Sequence, residues 1–173
     1  GGSTEIAIGR DTGHVEISES ADVGAVRVTE RFFSQLPPSR DEIRQATKMI
    51  ASSLASLPRI SSDIPIIGVA GTVTTLGAMD AGSTSFDDGQ LNGHELTYNA
   101  VSQMSDTLLE LNDEQIQAIP QINEQRADII SAGALILRQF LALGGHRQVM
   151  VSTRGIRYGL LLEMLAQQAQ SSP

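Results

Sequence analysis

The hydrophobic period of this chain changes near residue 38, and that change limits the folds open to it. Before it, apolar side chains alternate. Ile6 and Ile8 share a face of "TEIAIG", Val15 and Ile17 are in phase in "HVEIS", and so are Val26 and Val28 in "AVRVT". The link Asp11–Gly13, "DTG", has hairpin-turn chemistry. Period-2 segments on short links predict an antiparallel meander of three strands. After Pro37 and Pro38 the period becomes helical. Ser39 and Glu42 form an S-x-x-E capping box. Ile43, Ala46, Ile50, Leu54 and Leu57 then make one apolar face.

Further on, "IPIIGVAG" (64–71) is short and wholly apolar, which predicts a buried parallel strand, and "TVTTLGAM" opens a helix. Residues 80–97 are polar and Gly-rich, a loop with a short edge strand. Helices are expected in "NAVSQMSDTLLEL", in a short "DEQIQAI", and from about Asn123 to Leu143, with Asn123 as N-cap and Gly144 as C′ residue. In the long helix Ile129, Ile130, Ile136 and Leu137 face the core, and Gly133 marks a close approach. "QVMVS" is an apolar strand, "GIRYGLLLEMLAQQ" an amphipathic helix, and the last residues fray. No internal repeat is present. Strands leading into strand–helix units predict an α/β domain with a mixed five-stranded sheet and helices on its faces.

A length of 173 residues suits one domain with its own core. Hydrophobic residues are 40%, charged 18% and aromatic 3%, so the core is aliphatic and base-stacking surfaces are scarce. A net charge of −8 argues against binding nucleic acid through bulk electrostatics. Local backbone N–H groups can still hold an anion. Cysteine is absent, which removes disulfides and thiolate metal sites. No apolar run is long enough to span a bilayer, and a cytoplasmic protein is expected. The chain begins at Gly1 rather than Met, so any signal further upstream is out of view.

Four stretches could carry chemistry. In "GGSTE", glycines let N–H groups approach a phosphate, Ser3 and Thr4 add hydroxyls, and Glu5 could hold a metal or orient water; a plain Gly-rich hairpin with a surface glutamate satisfies the same letters. In "GVAGTVTTLGAM" a strand ends in glycine and Thr72, Thr74 and Thr75 open a helix, either an anion site or a simple Thr72 cap. It is no Walker A loop. In "VSTRGIRYG" a strand turns into a helix at Gly155, where α/β sheets bind ligands, but a cap and two surface arginines, Arg154 and Arg157, fit it better. In "NEQRADIISAGALIL" Arg126 could reach a phosphate, although pairing with Glu124 or Asp128 is the plainer role. His14, His94 and His146 fall in turns or loops without ligand spacing and read as solvent residues.

Taken in order, "GGSTEI", "GAVRVTERF", "GVAGTVTTLGAM", "RADIISAGALIL" and "VSTRGIRYGLLLEML" resemble the second domain of the exopolyphosphatase / guanosine pentaphosphate phosphatase (Ppx/GppA) proteins, collinearly over residues 1 to 166. The resemblance implies an actin-like (ribonuclease H-like) domain, the second of two that face each other across a cleft, with residues 1–173 forming this half and the first domain absent. The family's first motif is D-I-G-G-G-S-T-E. Gly1 matches its second glycine, which places the family's magnesium-binding aspartate three residues upstream.

By the same match Gly1, Gly2, Ser3 and Thr4 form the phosphate turn. Glu5 is the catalytic acid that positions water or, through water, Mg2+. Gly71 and Thr72 belong to the second phosphate segment, and Arg126 and Arg154 are candidate phosphate contacts. Arg154 stands before the glycine of the family's S-x-x-G-L-R-x-G, and Ile156 replaces its leucine. A glutamate of the first domain is the family's general base. The implied reaction is magnesium-dependent hydrolysis of the terminal phosphate of inorganic polyphosphate, or of guanosine pentaphosphate (pppGpp). An actin-like kinase half and a non-catalytic regulatory or dimerisation domain are the alternatives of other classes. The expected partners are polyphosphate or pppGpp and the missing N-terminal domain, with neither membrane nor nucleic acid; a homodimer is also open.

Overall fold

The computed structural model describes residues 1–10, 14–83 and 88–171. Strands β1 (Thr4–Gly9) and β2 (Val15–Ala21) come first, then helices α1 (Ala25–Phe32) and α2 (Arg40–Leu54). Strand β3 (Ile67–Gly68) leads into α3 (Gly71–Asp80). A short α4 (Asp88–Leu91), β4 (Glu95–Thr97), α5 (Tyr98–Glu110), α6 (Asp113–Gln117) and α7 (Glu124–Ala127) follow. The chain continues through α8 (Ile130–Gly144), β5 (Gln148–Val151) and α9 (Ile156–Ser171). Among the described residues no helix is long and apolar enough to cross a membrane.

The α/β class holds, with fewer strands in the meander and a divided sheet. β1 and β2 pair antiparallel from Thr4↔Ala21 to Ile8↔Ile17, as alternation requires; the Asp11–Gly13 turn lies outside the described residues. The third predicted strand is α1. "AVRVT" alternates over only a few residues, while Ala25, Val28 and Phe32 also recur at helical spacing. Val28 is fully buried, and α1 packs on α2 and α8, so tertiary packing decides between the two periods. β3, β5 and β4 form a separate sheet in the order β3-β5-β4, parallel between β3 and β5 and antiparallel between β5 and β4. β3 is parallel as expected, but not buried. Ile67 is 60% and Val69 46% exposed, because the face they share with Met150 is uncovered.

The capping box forms as read. Ser39 Oγ accepts from the Glu42 backbone N–H, and Glu42 accepts from the Ser39 N–H at 2.7 Å. Hydrogen bonds from Ser34, then from Ser39, lower the Glu42 pKa to about 2. Ala46, Ile50 and Leu54 bury the predicted face of α2.

α8 is the axis of the domain. Ile130, Ala134 and Leu141 belong to a core with α3, α5, β4 and β5, whereas Ala132, Leu135 and Ile136 belong to a second core with β1, α1 and α2. A helix apolar on all sides is a buried one. The single helix expected from Asn123 to Leu143 is broken between α7 and α8, and Asn123 is the N-cap of α7 without a side-chain cap bond. The left-handed C-terminal residue is Gly145 (φ 67°), one beyond the expected Gly144.

His146 is buried rather than solvated, stacked on Phe140 with ring centroids 5.9 Å apart. His94 Nε2 lies 2.7 Å from Asp80 Oδ2, and only His14 is exposed as read. Burial lowers the His146 pKa from 6.5. The unfolded chain therefore takes up this proton first as pH falls. The stability contributed by neutral His146 is complete above pH 6.5 and declines as pH drops through the folded value. Urea midpoints measured from pH 8 to 5 are expected to fall below pH 6.5, and His146→Phe, which keeps the stacking, is expected to flatten that slope. An unchanged slope in the variant would assign the acid sensitivity to other groups.

Candidate active site

The opening turn is tied down by a segment twenty residues later. Thr4 Oγ1 donates to the Val23 carbonyl at 2.6 Å, the Val26 N–H to the Gly1 carbonyl at 3.2 Å, and Arg27 Nε to the Gly2 carbonyl at 3.0 Å. Gly24 makes this approach possible. A Cβ there would stand 2.2 Å from the Gly1 oxygen and 2.6 Å from the Ser3 nitrogen. Thr4 thus commits its hydroxyl proton to structure, and Gly2 turns its carbonyl to Arg27. Ser3 Oγ donates to Glu5 Oε1, and Ser20 Oγ lies 3.5 Å from the same oxygen.

The second piece is the β3–α3 turn. Ala70 has φ 71° and ψ 178°, a conformation suited to glycine, and it is the N-cap of α3 with no side-chain cap bond. Thr72 therefore is not the cap. Its hydroxyl packs on α8, 2.6 Å from where a Cβ on Gly133 would be, so the mid-helix glycine does mark a close approach. The free first-turn N–H groups and the helix dipole leave the start of α3 electropositive.

Arg126 adds a cation. Among the described residues it makes no ion pair with Glu124 or Asp128. Its guanidinium lies against Gly71 instead, with Nη1 1.4 Å from where a Cβ would stand. The break between α7 and α8 turns this residue off the axis of α8.

These pieces meet on one cavity of about 570 Å³. Gly1, Ser3, Thr4 and Glu5 line one side, Ala70, Gly71 and Thr72 the other, and Arg126 a third; Gly133 and Ile136 of α8 form part of the floor. Among the described residues Glu5 is its sole acidic lining residue. A polar rim with uncapped N–H groups and a guanidinium, inside a chain of net charge −8, suits an anion with several oxygens. Gly2 and Arg154 are not in this lining; the Arg154 guanidinium stacks on Tyr158 at 5.0 Å. Sequence reasoning missed Gly24 and Ala70. The glycine of "GAVRV" was the only signal for Gly24, and nothing in the letters marks the φ of Ala70.

A divalent cation has little to hold it here. Among the described residues no group of three His, Asp or Glu side chains gathers. Glu5 supplies one carboxylate, already engaged by Ser3. Magnesium is usually held by one or two carboxylates with phosphate oxygens and waters. Glu5 could serve as one such ligand, but this chain does not make a complete site.

Known proteins resemble this chain in sequence and in fold. Exopolyphosphatase 2 of Mycobacterium tuberculosis is 30% identical over 174 residues, a match covering 95% of this chain and 53% of that protein. The bifunctional 3-dehydroquinate synthase/phosphatase of Fusobacterium nucleatum is 29% identical, with 94% of this chain and 25% of that protein covered. A crystal structure of the Aquifex aeolicus Ppx/GppA family member superimposes with a TM-score of 0.91 at 30% identity, covering 97% of this chain and 54% of that one. The chain thus spans about half, or less, of the relatives it matches. A sequence profile of the Ppx/GppA phosphatase family matches residues 1–168, and the chain belongs to that family.

Proposed function

We propose that this chain is one wall of an exopolyphosphatase site, which removes the terminal phosphate of inorganic polyphosphate. The observation that carries the reading is the convergence of the Gly1–Ser3 turn, the uncapped start of α3 and Arg126 on one cavity. Water attacks the terminal phosphorus in line; a P–O bond forms to water, the bridging anhydride P–O bond breaks, and the proton leaves to a base. Backbone N–H groups of the turn and of α3, with Arg126, hold the phosphate oxygens as charge spreads over them. Glu5, its carboxylate fixed by Ser3, orients the attacking water.

The general base, most of the magnesium site and the facing wall of the cleft belong to a preceding domain outside this chain. Magnesium, when bound, neutralises phosphate oxygens. The terminal phosphate of pppGpp would meet the same groups. Polyphosphate is preferred because, among the described residues, the one aromatic side chain in the lining, Phe140, already stacks on His146, and a base needs a stacking surface.

The test is phosphate release from polyphosphate with magnesium. The intact two-domain protein is expected to turn over and this 173-residue chain alone to release almost none. Arg126→Ala in the intact protein should raise KM by roughly 10- to 100-fold, as for a lost hydrogen bond to a charged group. Full turnover by the isolated chain, or acceptor-dependent phosphate transfer from ATP, would overturn the proposal.

A further inference from the structure

His146 is a buried titratable group that the active site leaves unused. It is 5% exposed, yet among the described residues neither ring nitrogen has a hydrogen-bond partner. A buried polar group left unpaired is costly, and native structures rarely keep one without a reason. The C-terminal turn of α8 sets the ring in place. Gly145, left-handed, reverses the chain, and the His146 N–H donates to the Leu141 carbonyl at 2.9 Å. Phe140 covers a face of the ring. A Cβ on Gly144 would stand 2.5 Å from Nε2, so that edge lies against a residue with no side chain.

The ring lines a second cavity, of about 570 Å³, that shares no lining residue with the first. Gln148, at the start of β5, also lines it, whereas Ser152 and Ala70 stand beyond the other ends of β5 and β3. The two cavities therefore lie toward opposite ends of this sheet. Three features make the second one receptive to an anion. Arg147 is exposed and makes no ion pair among the described residues. Among those residues the lining holds no carboxylate, in a chain of net charge −8. Finally, α5 starts here. Thr97 Oγ1 accepts the Ala100 N–H, and the Arg147 carbonyl accepts the Tyr98 N–H at 2.8 Å. The Asn99 N–H of the first turn is left without a partner among the described residues, at the positive end of the helix. Burial lowers the His146 pKa, so above pH 6.5 the ring is neutral, with one N–H to donate.

We propose that this cavity binds a phosphate group, free or on a small phosphomonoester, with its oxygens between the Arg147 guanidinium, the Asn99 N–H and the His146 ring. Arg147 supplies the charge and α5 the dipole, and the anion gives the orphaned imidazole N–H an acceptor. The cavity has room beyond a bare ion, so an ester fits as well.

The experiment is a titration of inorganic phosphate into the intact, isotope-labelled protein, following the Asn99 and Arg147 amide resonances. Both are expected to shift together and to saturate in the millimolar range. Arg147→Gln should weaken the midpoint by roughly 10-fold or more, as for a lost hydrogen bond to a charged group. Its melting temperature should not change, because Arg147 is exposed. His146→Phe, which keeps the stack and removes both nitrogens, should weaken the midpoint as well. Arg126→Ala, in the first cavity, should leave it as it is. Glycerol phosphate as a second probe separates the sources: a tighter midpoint assigns the site to a phosphomonoester, an equal or weaker one to free phosphate. No saturable shift with either probe would overturn the proposal. So would an unaltered midpoint in Arg147→Gln, or loss of the shift in Arg126→Ala, which would place the ion in the first cavity. None of these readouts involves turnover, so the outcome is independent of the phosphatase reading.

Discussion

Glu5→Gln in the intact protein is expected to lower kcat for phosphate release by roughly 10²- to 10³-fold, the range for losing one positioned catalytic group. The substitution keeps size and retains an oxygen that can accept the Ser3 hydroxyl, so the turn should keep its shape. Glu5 is exposed, and a substitution at such a position changes stability by at most about 0.5 kcal/mol. The expected signature is therefore a collapse in turnover with an unchanged melting temperature. An unaltered kcat would make Glu5 a surface carboxylate whose only partners are Ser3 and Ser20. A fall in both quantities would mean that the carboxylate holds the turn rather than the water.

Gly24→Ala, by contrast, should lower both the melting temperature and the rate. The added methyl meets backbone, the Gly1 carbonyl and the Ser3 nitrogen, none of which can rotate away. Overpacking of this sort costs about 1–3 kcal/mol, or roughly 2–12 °C of melting temperature for a chain of this size. It must also push the phosphate turn away from the Val23–Arg27 segment, and a displacement of about 1 Å at a site can cost 10²-fold in rate. Gly71→Ala is the contrasting case. The three atoms nearest its methyl all belong to the Arg126 guanidinium, the end of a side chain that can swing aside. That variant should keep its stability and share the raised KM of Arg126→Ala. If Gly24→Ala melted with the unsubstituted chain and retained full activity, the strap between Val23–Arg27 and the turn would have no functional weight.

Local information is what the sequence states well. Ser39 and Glu42 fix the start of α2 through two hydrogen bonds that close within four residues, so their spacing alone suffices. β1 and β2 are legible because alternation over five or six residues is a local signal, and it sets Ile6 buried and Ile8 half-buried on one face, although Val15 and Ile17 of β2 stay exposed. The glycines of "GGSTE" and "GVAGT" mark where backbone could meet an anion, and both segments do line the cavity. The collinear order of the motifs pointed to the Ppx/GppA family, and the family profile covers residues 1–168.

Other features depend on surroundings that no window of sequence contains. Val26 and Val28 satisfy a strand, but α2 and α8 offer a helix a fully buried place for Val28. His146 looks like a loop residue until Phe140 stacks on it and burial lowers its pKa. Arg126 has acids on both sides in the chain, yet the break before α8 sets it against Gly71, more than fifty residues away. Ala70 takes a glycine-like φ with nothing in its letter to announce it. The sequence by itself determined the local elements, the chemistry of the two glycine turns and the family. Tertiary structure alone decided which groups share the cavity and which apolar faces remain uncovered, because both follow from contacts between residues far apart in the chain, and their cost or gain is settled only when α8 brings the two cores together.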